Sequence, residues 1–448
     1  MESVLQSVKK DGVKFVKFQW LGNDLLQRAL LVSCDSLKEH LKYGVGIPKA
    51  QQCFNSLDEL VPSGTFGPES SEFRMLPDLS TYRVLPYTQG VARLICEHYN
   101  TDLSPSQTDG RILLKRVLNK AQEMGFYVYA GLEAEFYVLR KEANEFRPLE
   151  EEGIETTHSY DVLFEYISEL GDALSKMGIF VERVKKEYGN SQLEPTIRYK
   201  RALEAADDFV TLRDVARGVA TKKGLLATFL PKPFNKAPGS GLHVHLSVFD
   251  KNENNLFHSQ SDKYGMALSE FAQSFIAGIL EHTKAMCFVA TPLVNSYKRL
   301  IPGSWAPSHV CWGFDNRSAA IRVPSRLSGS QSEARIEFRV SDGCANPYLL
   351  VSLLVLAGLE GVEKRLEPPQ PLNKDVAKMS EAELTQLGAE RLPRTLGEAL
   401  ECARKDKWVK RVMGELLFEE YYKARESEWY AYIQSVSEWE VLRYIERV

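Results

Sequence analysis

Apolar and polar residues alternate along several short segments in the first part of the chain. Residues 13–20, 28–32 and 91–96 follow the two-residue repeat that is typical of a half-buried strand. Residues 44–67 contain two prolines and four glycines. They are predicted to form a long loop, which in a compact domain is usually functional or disordered. The pattern predicts a small β-rich domain over residues 1–104.

The pattern changes beyond residue 104, where predicted strands alternate with long helices. A helix predicted over residues 112–124 opens this part of the chain, and a single strand is predicted over residues 127–140. Residues 105–448 are therefore predicted to form a second, larger domain. The whole chain is predicted to have an α+β fold.

The longest apolar run, residues 348–359, contains a Ser and a Gly and is too short to span a bilayer. It is predicted to be a core helix, with Asn346 as its N-cap and Pro347 in its first turn. Residues 408–448 carry aromatic and acidic residues at helical spacing. They are predicted to form a pair of packed helices.

Charge and cysteine usage narrow the classes of function. The chain has 56 Lys and Arg residues against 60 Asp and Glu residues among 448 positions, a formal net charge of -4. This balance does not favour a nucleic-acid or membrane surface, so neither partner is expected. The seven cysteines are scattered without a close pair, which argues against a disulfide framework and indicates a reducing compartment. The start of the chain lacks a signal-peptide pattern, and a cytoplasmic protein is expected.

In three otherwise apolar segments, ionisable residues stand two positions apart, so that they share one face of a predicted strand. These residues are Glu133 and Glu135, His243 and His245, and Arg335, Glu337 and Arg339. One such strand alone is most simply a solvated face, and a lone His-x-His pair is most often structural. Three of them together indicate an occupied cavity, because charged side chains are almost never buried without partners.

Two further segments extend this set of charges. Glu187 and Glu194 stand on either side of a Gly-Asn turn, and Arg317 and Arg322 flank a short apolar segment. Carboxylates with an imidazole suit Mg²⁺ or Mn²⁺, and clustered arginines suit phosphate and carboxylate oxygens. This combination indicates phosphoryl transfer. The sequence contains neither a P-loop nor a kinase glycine-rich loop, so a nucleotide would be held in another way.

Seven segments stand in a characteristic order along the chain. They are Glu133-Ala-Glu135, Asn190-Ser-Gln-Leu-Glu194, Lys232-Pro, Gly239-Ser-Gly-Leu-His243, Asn295-Ser-Tyr-Lys-Arg-Leu-Ile-Pro302, Asn316-Arg-Ser-Ala-Ala-Ile-Arg322 and Arg335-Ile-Glu-Phe-Arg339. In this order they resemble the glutamine synthetase superfamily, and the resemblance extends from about residue 40 to the C-terminus. It implies an N-terminal β-grasp domain over residues 1–104 and a catalytic domain over residues 105–448, whose antiparallel strands form a funnel-like site.

The resemblance also implies a reaction and a role for each site residue. ATP and glutamate would form a γ-glutamyl phosphate, which a nitrogen nucleophile then attacks, with two or more Mg²⁺ or Mn²⁺ ions in each site. Position by position, it assigns one metal to Glu135, Glu187 and Glu194, another to Glu133, His243 and Glu337, glutamate to Gly239, Arg299 and Arg339, the transferring phosphoryl group to Arg317, Arg322 and Arg335, and the nucleotide side to His245 and Ser247. It implies a homo-oligomer of stacked hexameric rings.

The chain departs from ammonia-using members at two acidic positions. Their Asp-Gly-Ser-Ser latch corresponds to residues 44–52, where Pro48 stands in place of the Asp, and Trp305 stands in place of their flap glutamate. Amine-ligating relatives such as the γ-glutamylpolyamine synthetases resemble the chain in both departures. Trp305 is therefore predicted to line a pocket for an organic amine.

Simple chemistry favours an apolar or aromatic monoamine over a polyamine. An arylamine arrives neutral and suits an indole wall, whereas an alkylammonium must lose a proton and favours carboxylates. Acids that could still serve a polyamine are Asp58, Glu59, Glu69 and Glu72. Two alternatives stay open: an ammonia-using enzyme with an altered latch, and a catalytically silent structural or regulatory relative. All six implied metal ligands are present, which argues against the silent relative.

Overall fold

The computed structural model describes residues 1–143, 145–260, 262–326 and 330–448 and has an α+β fold, as predicted. The strands are β1 Phe15–Leu21, β2 Gln27–Ser33, β3 Val45–Pro48, β4 Glu72–Val84, β5 Val91–Tyr99, β6 Tyr127–Ala134, β7 Phe136–Glu142, β8 Glu145–Pro148, β9 Val181–Lys186, β10 Gln192–Ile197, β11 Lys200–Arg201, β12 Leu225–Thr228, β13 Leu242–Phe249, β14 Trp312–Phe314, β15 Ile321–Val323 and β16 Ile336–Phe338. The α-helices are α1 Glu2–Lys10, α2 Leu37–Tyr43, α3 Gly110–Glu123, α4 Thr157–Lys176, α5 Ala202–Lys222, α6 Glu270–Ala290, α7 Pro347–Lys364, α8 Glu381–Gln386, α9 Leu396–Lys405, α10 Lys407–Met413, α11 Glu415–Gln434 and α12 Glu438–Tyr444.

The first sheet lies entirely within the predicted first domain. Its strand order is β2-β1-β5-β4-β3, with β1 and β5 parallel at its centre, which is an arrangement of the β-grasp type. Val16, Phe18 and Leu94 belong to a core cluster that is separate from the main one. The alternation read from the sequence produced this buried face. The division of the chain at residue 104 stays a prediction.

The predicted long loop over residues 44–67 is wrong in its first part. Val45–Pro48 form strand β3 at the edge of the first sheet, and Lys49–Cys53 form a short 3₁₀-helix. Pro48 occupies the end of this edge strand, a place where a strand tolerates proline because the missing N–H costs few hydrogen bonds.

Two further sheets carry the residues of the predicted site. One has the order β11-β6-β13-β16-β15-β14, and the other has the order β12-β7-β10-β9, with β8 paired to β7. Among the described residues, every pairing in these two sheets is antiparallel except that of β14 with β15. The chain passes from the first of these sheets to the second between β6 and β7.

The single strand predicted over residues 127–140 is two strands that meet at Glu135. The N–H of Glu135 donates to the carbonyl of Gly241 at 3.0 Å, and the N–H of Gly241 donates to Glu135 Oε2 at 2.8 Å. Glu133 therefore lies on β6 and Glu135 at the break that follows it, and the two serve different clusters, although their spacing predicted one shared strand face. Alternate residues are buried along β6, whereas the first four residues of β7 are buried in succession, and the sequence analysis took the two segments as one strand.

Two long helices, α6 and α7, pack closely beneath the sheets. A Cβ at Gly278 would come within 2.1 Å of the carbonyl oxygen of Ala357, so the close contact between these helices requires glycine there. The predicted start of α7 is confirmed, since Asn346 Oδ1 accepts hydrogen bonds from the N–H groups of Tyr348 and Leu349.

The end of the chain differs from the predicted pair of packed helices. It forms three helices, α10 to α12, because Gly414 ends the first with a φ of 85° and a short non-helical segment separates the last two. No residue of α12 is buried. All seven cysteines are free, as predicted. Among the described residues, every helix is too short or too polar to span a bilayer.

Candidate active site

A cleft of about 660 Å³ opens where the two sheets that carry the predicted site residues meet. All of the predicted site residues except Ser247 line it; they are Glu133, Glu135, Glu187, Glu194, Gly239, His243, His245, Arg299, Trp305, Arg317, Arg322, Arg335, Glu337 and Arg339. Ser247 lines an adjoining cavity of about 240 Å³. Glu133, His245 and Arg335 line both spaces, so the two spaces adjoin.

The first group of charges, here called the histidine cluster, consists of Glu133, His243, His245 and Glu337. Strand register brings them together, because β13 lies between β6 and β16 with His243 opposite Glu133 and His245 opposite Glu337. His243 Nδ1 lies 3.2 Å from Glu133 Oε1 and 3.6 Å from Glu337 Oε1, and His245 Nε2 lies 3.8 Å from Glu133 Oε2. Cross-strand neighbours on one sheet face are close enough to act together.

Arginines compensate the acids of this histidine cluster. Arg322 on β15 donates through Nη1 to Glu337 Oε2 at 2.8 Å, and Arg339 donates to Glu337 Oε1. Burial alone would raise the pKa of Glu337, but Arg339, the two histidines and Arg322 lower it to about 2. For Glu133, hydrogen bonds from the histidines likewise outweigh burial and hold its pKa well below the usual range.

The second group, here called the carboxylate cluster, consists of Glu135, Glu187 and Glu194. Glu135 lies at the break between sheets, Glu187 follows β9, and Glu194 lies on the neighbouring β10. One carboxylate oxygen from each lies within 4.8 Å of the others. Among the described residues, no hydrogen bond reaches the side chain of Glu194, whereas Glu187 Oε1 pairs with Lys185 Nζ at 2.6 Å.

Repulsion within the carboxylate cluster favours protonation of its members. Burial, together with the charges of Glu133, Glu135 and Glu187, raises the pKa of Glu194 to about 10. Burial and the nearby Glu135 also raise the pKa of Glu187. A cation bound among these oxygens would relieve that repulsion, and carboxylates are the ligands that Mg²⁺ and Mn²⁺ prefer. The donor set therefore fits the implied ion.

One predicted ligand set, Glu135, Glu187 and Glu194, is brought together; among the described residues the other, Glu133, His243 and Glu337, is brought close in pairs but is not found as one group of ligand atoms. Besides the carboxylate cluster, two groups of ligand atoms lie within 4.8 Å of one another: Glu133 with His245 and Glu337, and Glu133 with Glu194 and His243. His245, which the resemblance placed on the nucleotide side, is thus also a candidate ligand. Glu194 lies near both groups. The assignment of individual ligands to individual ions stays a prediction.

Arg299 and Gly239, both implied in glutamate binding, lie in direct contact. Arg299 is buried and donates to the carbonyl oxygens of Val340 at 2.9 Å and Arg339 at 3.1 Å. A Cβ at Gly239 would come 2.7 Å from Arg299 Cγ, so this contact favours glycine. Burial lowers the pKa of Arg299, and the nearby Glu135 partly offsets that effect. Part of the guanidinium therefore holds the backbone of the cleft in place.

The three arginines assigned to the phosphoryl group have different surroundings. Arg322 is tied to Glu337 and, at 3.1 Å, to Asp315, whereas Arg335 donates from Nε to His245 Nδ1 at 3.4 Å. Arg317 is exposed at the mouth of the cleft. The arrangement surrounds one space with positive charge opposite the acidic clusters.

Gln192 is among the polar residues of the site that the sequence analysis missed. Gln192 donates from Nε2 to Glu135 Oε2 at 3.3 Å, to the carbonyl of Gly239 at 3.0 Å and to Ser240 Oγ at 3.1 Å. It links the carboxylate cluster to the loop that supports Arg299. Its position two residues before Glu194 was a usable signal, because residues two apart share a strand face.

The flap residue Trp305 stands at the rim of the cleft beside Tyr188. Its side chain is 64% exposed, and its φ is 59°, in the left-handed region that bulky residues rarely adopt. Pro48, the other departure from ammonia-using enzymes, is not among the described residues that line this cleft.

An α+β fold with two acidic clusters and several arginines in one cleft is the arrangement of a ligase family, and comparison with known proteins identifies it. Residues 107–444 match the family model for the glutamine synthetase catalytic domain, and the chain belongs to that family. A glutamine synthetase from Methanocaldococcus jannaschii is 34% identical over 460 residues, which cover 99% of this chain and 98% of the relative. A glutamate–methylamine ligase from Methyloversatilis universalis is 34% identical over 387 residues, which cover 84% of this chain and 85% of the relative.

Solved structures agree with this assignment. A complex of GmaS with ADP superposes with a TM-score of 0.88 at 26% identity, and each chain is covered completely. A crystal structure of a glutamine synthase homologue superposes with a TM-score of 0.84 at 27% identity, covering 96% of this chain and 97% of the homologue. The predicted family and fold class are confirmed.

Proposed function

We propose that the protein is an ATP- and Mg²⁺-dependent ligase, with Mn²⁺ as the alternative ion, that joins the γ-carboxylate of glutamate to an organic amine other than ammonia. The amine that the site fits best is an apolar or aromatic monoamine. The observation that carries this proposal is one cleft in which two acidic clusters face several arginines while an exposed tryptophan replaces the flap acid.

The two clusters would hold the ions in this proposal. Glu135, Glu187 and Glu194 would hold one ion, and Glu133, His243 and Glu337 another, with His245 as a further candidate ligand. When bound, such ions neutralise phosphate oxygens and orient the reacting groups.

The residues of the chain support the first chemical step by binding and orientation. An oxygen of the glutamate γ-carboxylate attacks the γ-phosphorus of ATP, the bond to the β-phosphate oxygen breaks, and ADP leaves. Arg317, Arg322 and Arg335 surround the transferring phosphoryl group and stabilise its charge. Arg299, Arg339 and Gly239 hold glutamate, which places its carboxylate in line with the phosphorus.

The second step decides the substrate class. The amine nitrogen attacks the carbonyl carbon of the γ-glutamyl phosphate, inorganic phosphate leaves, and the nitrogen loses a proton to give the amide. An ammonium ion is held and deprotonated most easily by carboxylates, and neither Pro48 nor Trp305 provides one. The similarity to a glutamate–methylamine ligase supports an organic amine.

An ammonia-using glutamine synthetase is the second candidate, because relatives of that name are 34% identical over nearly the whole chain. A catalytically silent relative is the third, and the complete ligand set argues against it.

A screen of amines separates these candidates. Phosphate release would be measured with ATP, glutamate, Mg²⁺ and one amine at a time, with ammonium, methylamine, benzylamine, aniline and putrescine as probes. We expect at least one monoamine to exceed ammonium in kcat/KM. Preference for ammonium over every organic amine would overturn the proposal, and no activity with any probe would support the silent relative.

The assembly and location of the enzyme are also proposals. We propose a homo-oligomer of stacked hexameric rings in the cytoplasm, a location that seven free cysteines favour. Light scattering of the purified protein would give the number of subunits, and a monomer under assay conditions would contradict the rings.

A further inference from the structure

Two exposed aromatic rings lie side by side at the rim of the catalytic cleft. Trp305 is 64% exposed and Tyr188 is 51% exposed, and their ring centroids are 5.7 Å apart at an interplanar angle of 52°. Both side chains line the cleft that contains the acidic clusters. Aromatic rings gain most when they are covered, so two exposed rings in an otherwise charged cleft indicate a ligand with an apolar part.

The backbone turn that precedes Trp305 is held by the side chain of Ser304. The hydroxyl of Ser304 donates to the carbonyl oxygens of Arg299 at 2.8 Å and Ile301 at 2.6 Å, which fixes the turn before Trp305. Trp305 itself has a φ of 59°. A bulky residue in this region of backbone space is strained, and such strain is concentrated at functional sites.

Tyr188 is placed by the turn that carries the carboxylate cluster. It directly follows Glu187, and its N–H donates to Glu187 Oε2 at 3.3 Å. The next residue, Gly189, lies against Tyr137, whose hydroxyl a Cβ would approach to 2.0 Å. The close packing of this turn therefore holds Tyr188 on the side of the cleft where Glu187 lies.

The cleft limits the size of a ligand that covers these rings. Trp305, Ala306 and Arg317 line the cleft and also a separate cavity of about 540 Å³. Trp305 thus forms part of the wall between the two spaces. Ile154 adds an apolar surface to the lining of the cleft, and the charge of Glu155 interacts with that of Lys185.

We propose that Tyr188 and Trp305 together form the acceptor pocket, which packs against the apolar body of a compact primary monoamine and turns its nitrogen toward the carboxylate cluster. This inference rests on the proposed ligase function and adds Tyr188 as a specificity-determining residue. Alkyl and aryl monoamines share the required chemistry, a single nitrogen on an apolar body. A polyamine would place a second ammonium group against two rings and an apolar rim.

The test compares Tyr188→Ala with the wild-type enzyme on the best amine of the screen. Loss of one ring contact should raise the KM for that amine about tenfold, while the KM values for glutamate and ATP stay within about twofold. Trp305→Ala should have a similar effect. In the double variant the two effects should be less than additive, because both rings contact the same ligand.

Hydroxylamine is the control nucleophile, since it is small, largely neutral at pH 7 and lacks an apolar body. Formation of γ-glutamyl hydroxamate should be unchanged in Tyr188→Ala. Tyr188→Phe, which keeps the ring, should retain the wild-type KM for the amine. Phe164→Ala removes an aromatic ring that is 63% exposed outside the cleft, and it should change none of these values.

Each outcome has one meaning. An unchanged KM for the amine in both Tyr188→Ala and Trp305→Ala would overturn the acceptor pocket and leave the ligase function intact. An equal loss of hydroxamate formation in Tyr188→Ala would show that Tyr188 acts through Glu187, which also overturns the inference. A wild-type enzyme that prefers ammonium would overturn the ligase proposal itself.

Discussion

The two acidic clusters of the cleft are built from the same kinds of side chain and have opposite electrostatic surroundings. In the histidine cluster, Arg322 and Arg339 contact Glu337 and lower its pKa to about 2 despite burial. In the carboxylate cluster, burial and neighbouring acids raise the pKa of Glu194 to about 10. Glu133 and Glu194, which each offer a carboxylate oxygen within 4.8 Å of the other, therefore have pKa values shifted in opposite directions by what surrounds them.

This difference separates two tasks. The histidine cluster is already compensated by cations of the chain, so it keeps its shape and charge before any ligand arrives. The carboxylate cluster has one lysine contact, from Lys185 to Glu187, and gains most from an added cation. We infer that an ion gains its binding energy mainly in the carboxylate cluster, whereas the histidine cluster holds its ligand atoms in fixed positions before an ion binds.

Glu337→Gln should give the largest effect. The substitution keeps the size of the side chain but removes the negative charge that compensates the buried Arg339, and it leaves Arg322 paired with Asp315. We expect the metal-free protein to lose about 3 kcal/mol of stability in urea unfolding. We also expect ATP turnover to fall by about 100-fold or more. Turnover close to that of the wild type at ordinary Mg²⁺ concentrations would contradict the assignment of Glu337.

Glu194→Gln is the matched substitution in the other cluster, and its effect on stability should have the opposite sign. The unfolded chain loses the Glu194 proton above pH 4.5, whereas the folded metal-free protein holds it until about pH 10. Stability of the metal-free wild type therefore falls as pH rises through this window. Glutamine has no proton to lose, so the variant should be the more stable protein at pH 8, by roughly 2 kcal/mol.

Urea unfolding of both metal-free proteins between pH 5 and pH 9 would check this. The stabilities of the wild type and of Glu194→Gln should converge toward pH 5 and separate toward pH 9. Glu194→Gln and Glu337→Gln should each abolish ATP turnover. If Glu194→Gln and Glu337→Gln destabilised the metal-free protein equally, the contrast between the clusters would be wrong.

Much of this cleft could be predicted from the sequence because its charges stand in regular strands. The spacing of His243 and His245 in an apolar segment was enough to place both on one face of β13. The strand ends were harder to predict. Glu135 lies where the chain leaves one sheet for another, at the point where alternation gives way to four successive buried residues, Phe136–Leu139, a change that the sequence analysis did not use.

The remaining differences arise from long-range contacts. Residues 45–48 join a sheet as an edge strand because β4, almost thirty residues later, provides the partner. The pKa contrast between the clusters also depends on His243 and His245, which are distant from Glu133 in sequence and near it in space. The break at Gly414 was visible as a glycine, but a single glycine does not show whether a helix stops there.

Binding of Mg²⁺ to the metal-free enzyme should release protons. At pH 8 Glu194 holds its proton in the folded protein, and a cation among the carboxylates favours the ionised form. We expect about one proton to be released per site, measured by calorimetry in two buffers of different ionisation enthalpy. In Glu194→Gln this release should disappear. Mg²⁺ binding with no proton release in the wild type would contradict the raised pKa of Glu194.

Trp305→Glu should give the smallest effect, and it tests whether the electrostatic difference between the two clusters extends to the rim of the cleft. Trp305 lies beside Tyr188, on the side of the carboxylate cluster, where negative charge has little compensation. An added carboxylate there should attract ammonium and help to remove its proton, while the loss of the indole weakens contact with an apolar amine. We expect a rise of a few-fold in kcat/KM for ammonium, limited because Pro48 remains, and a decrease of about tenfold for the best monoamine. Trp305→Gln is the control, since it removes the ring without adding charge. It should lose the monoamine preference and gain nothing with ammonium, so equal ammonium activity in the two variants would show that charge at this position is irrelevant.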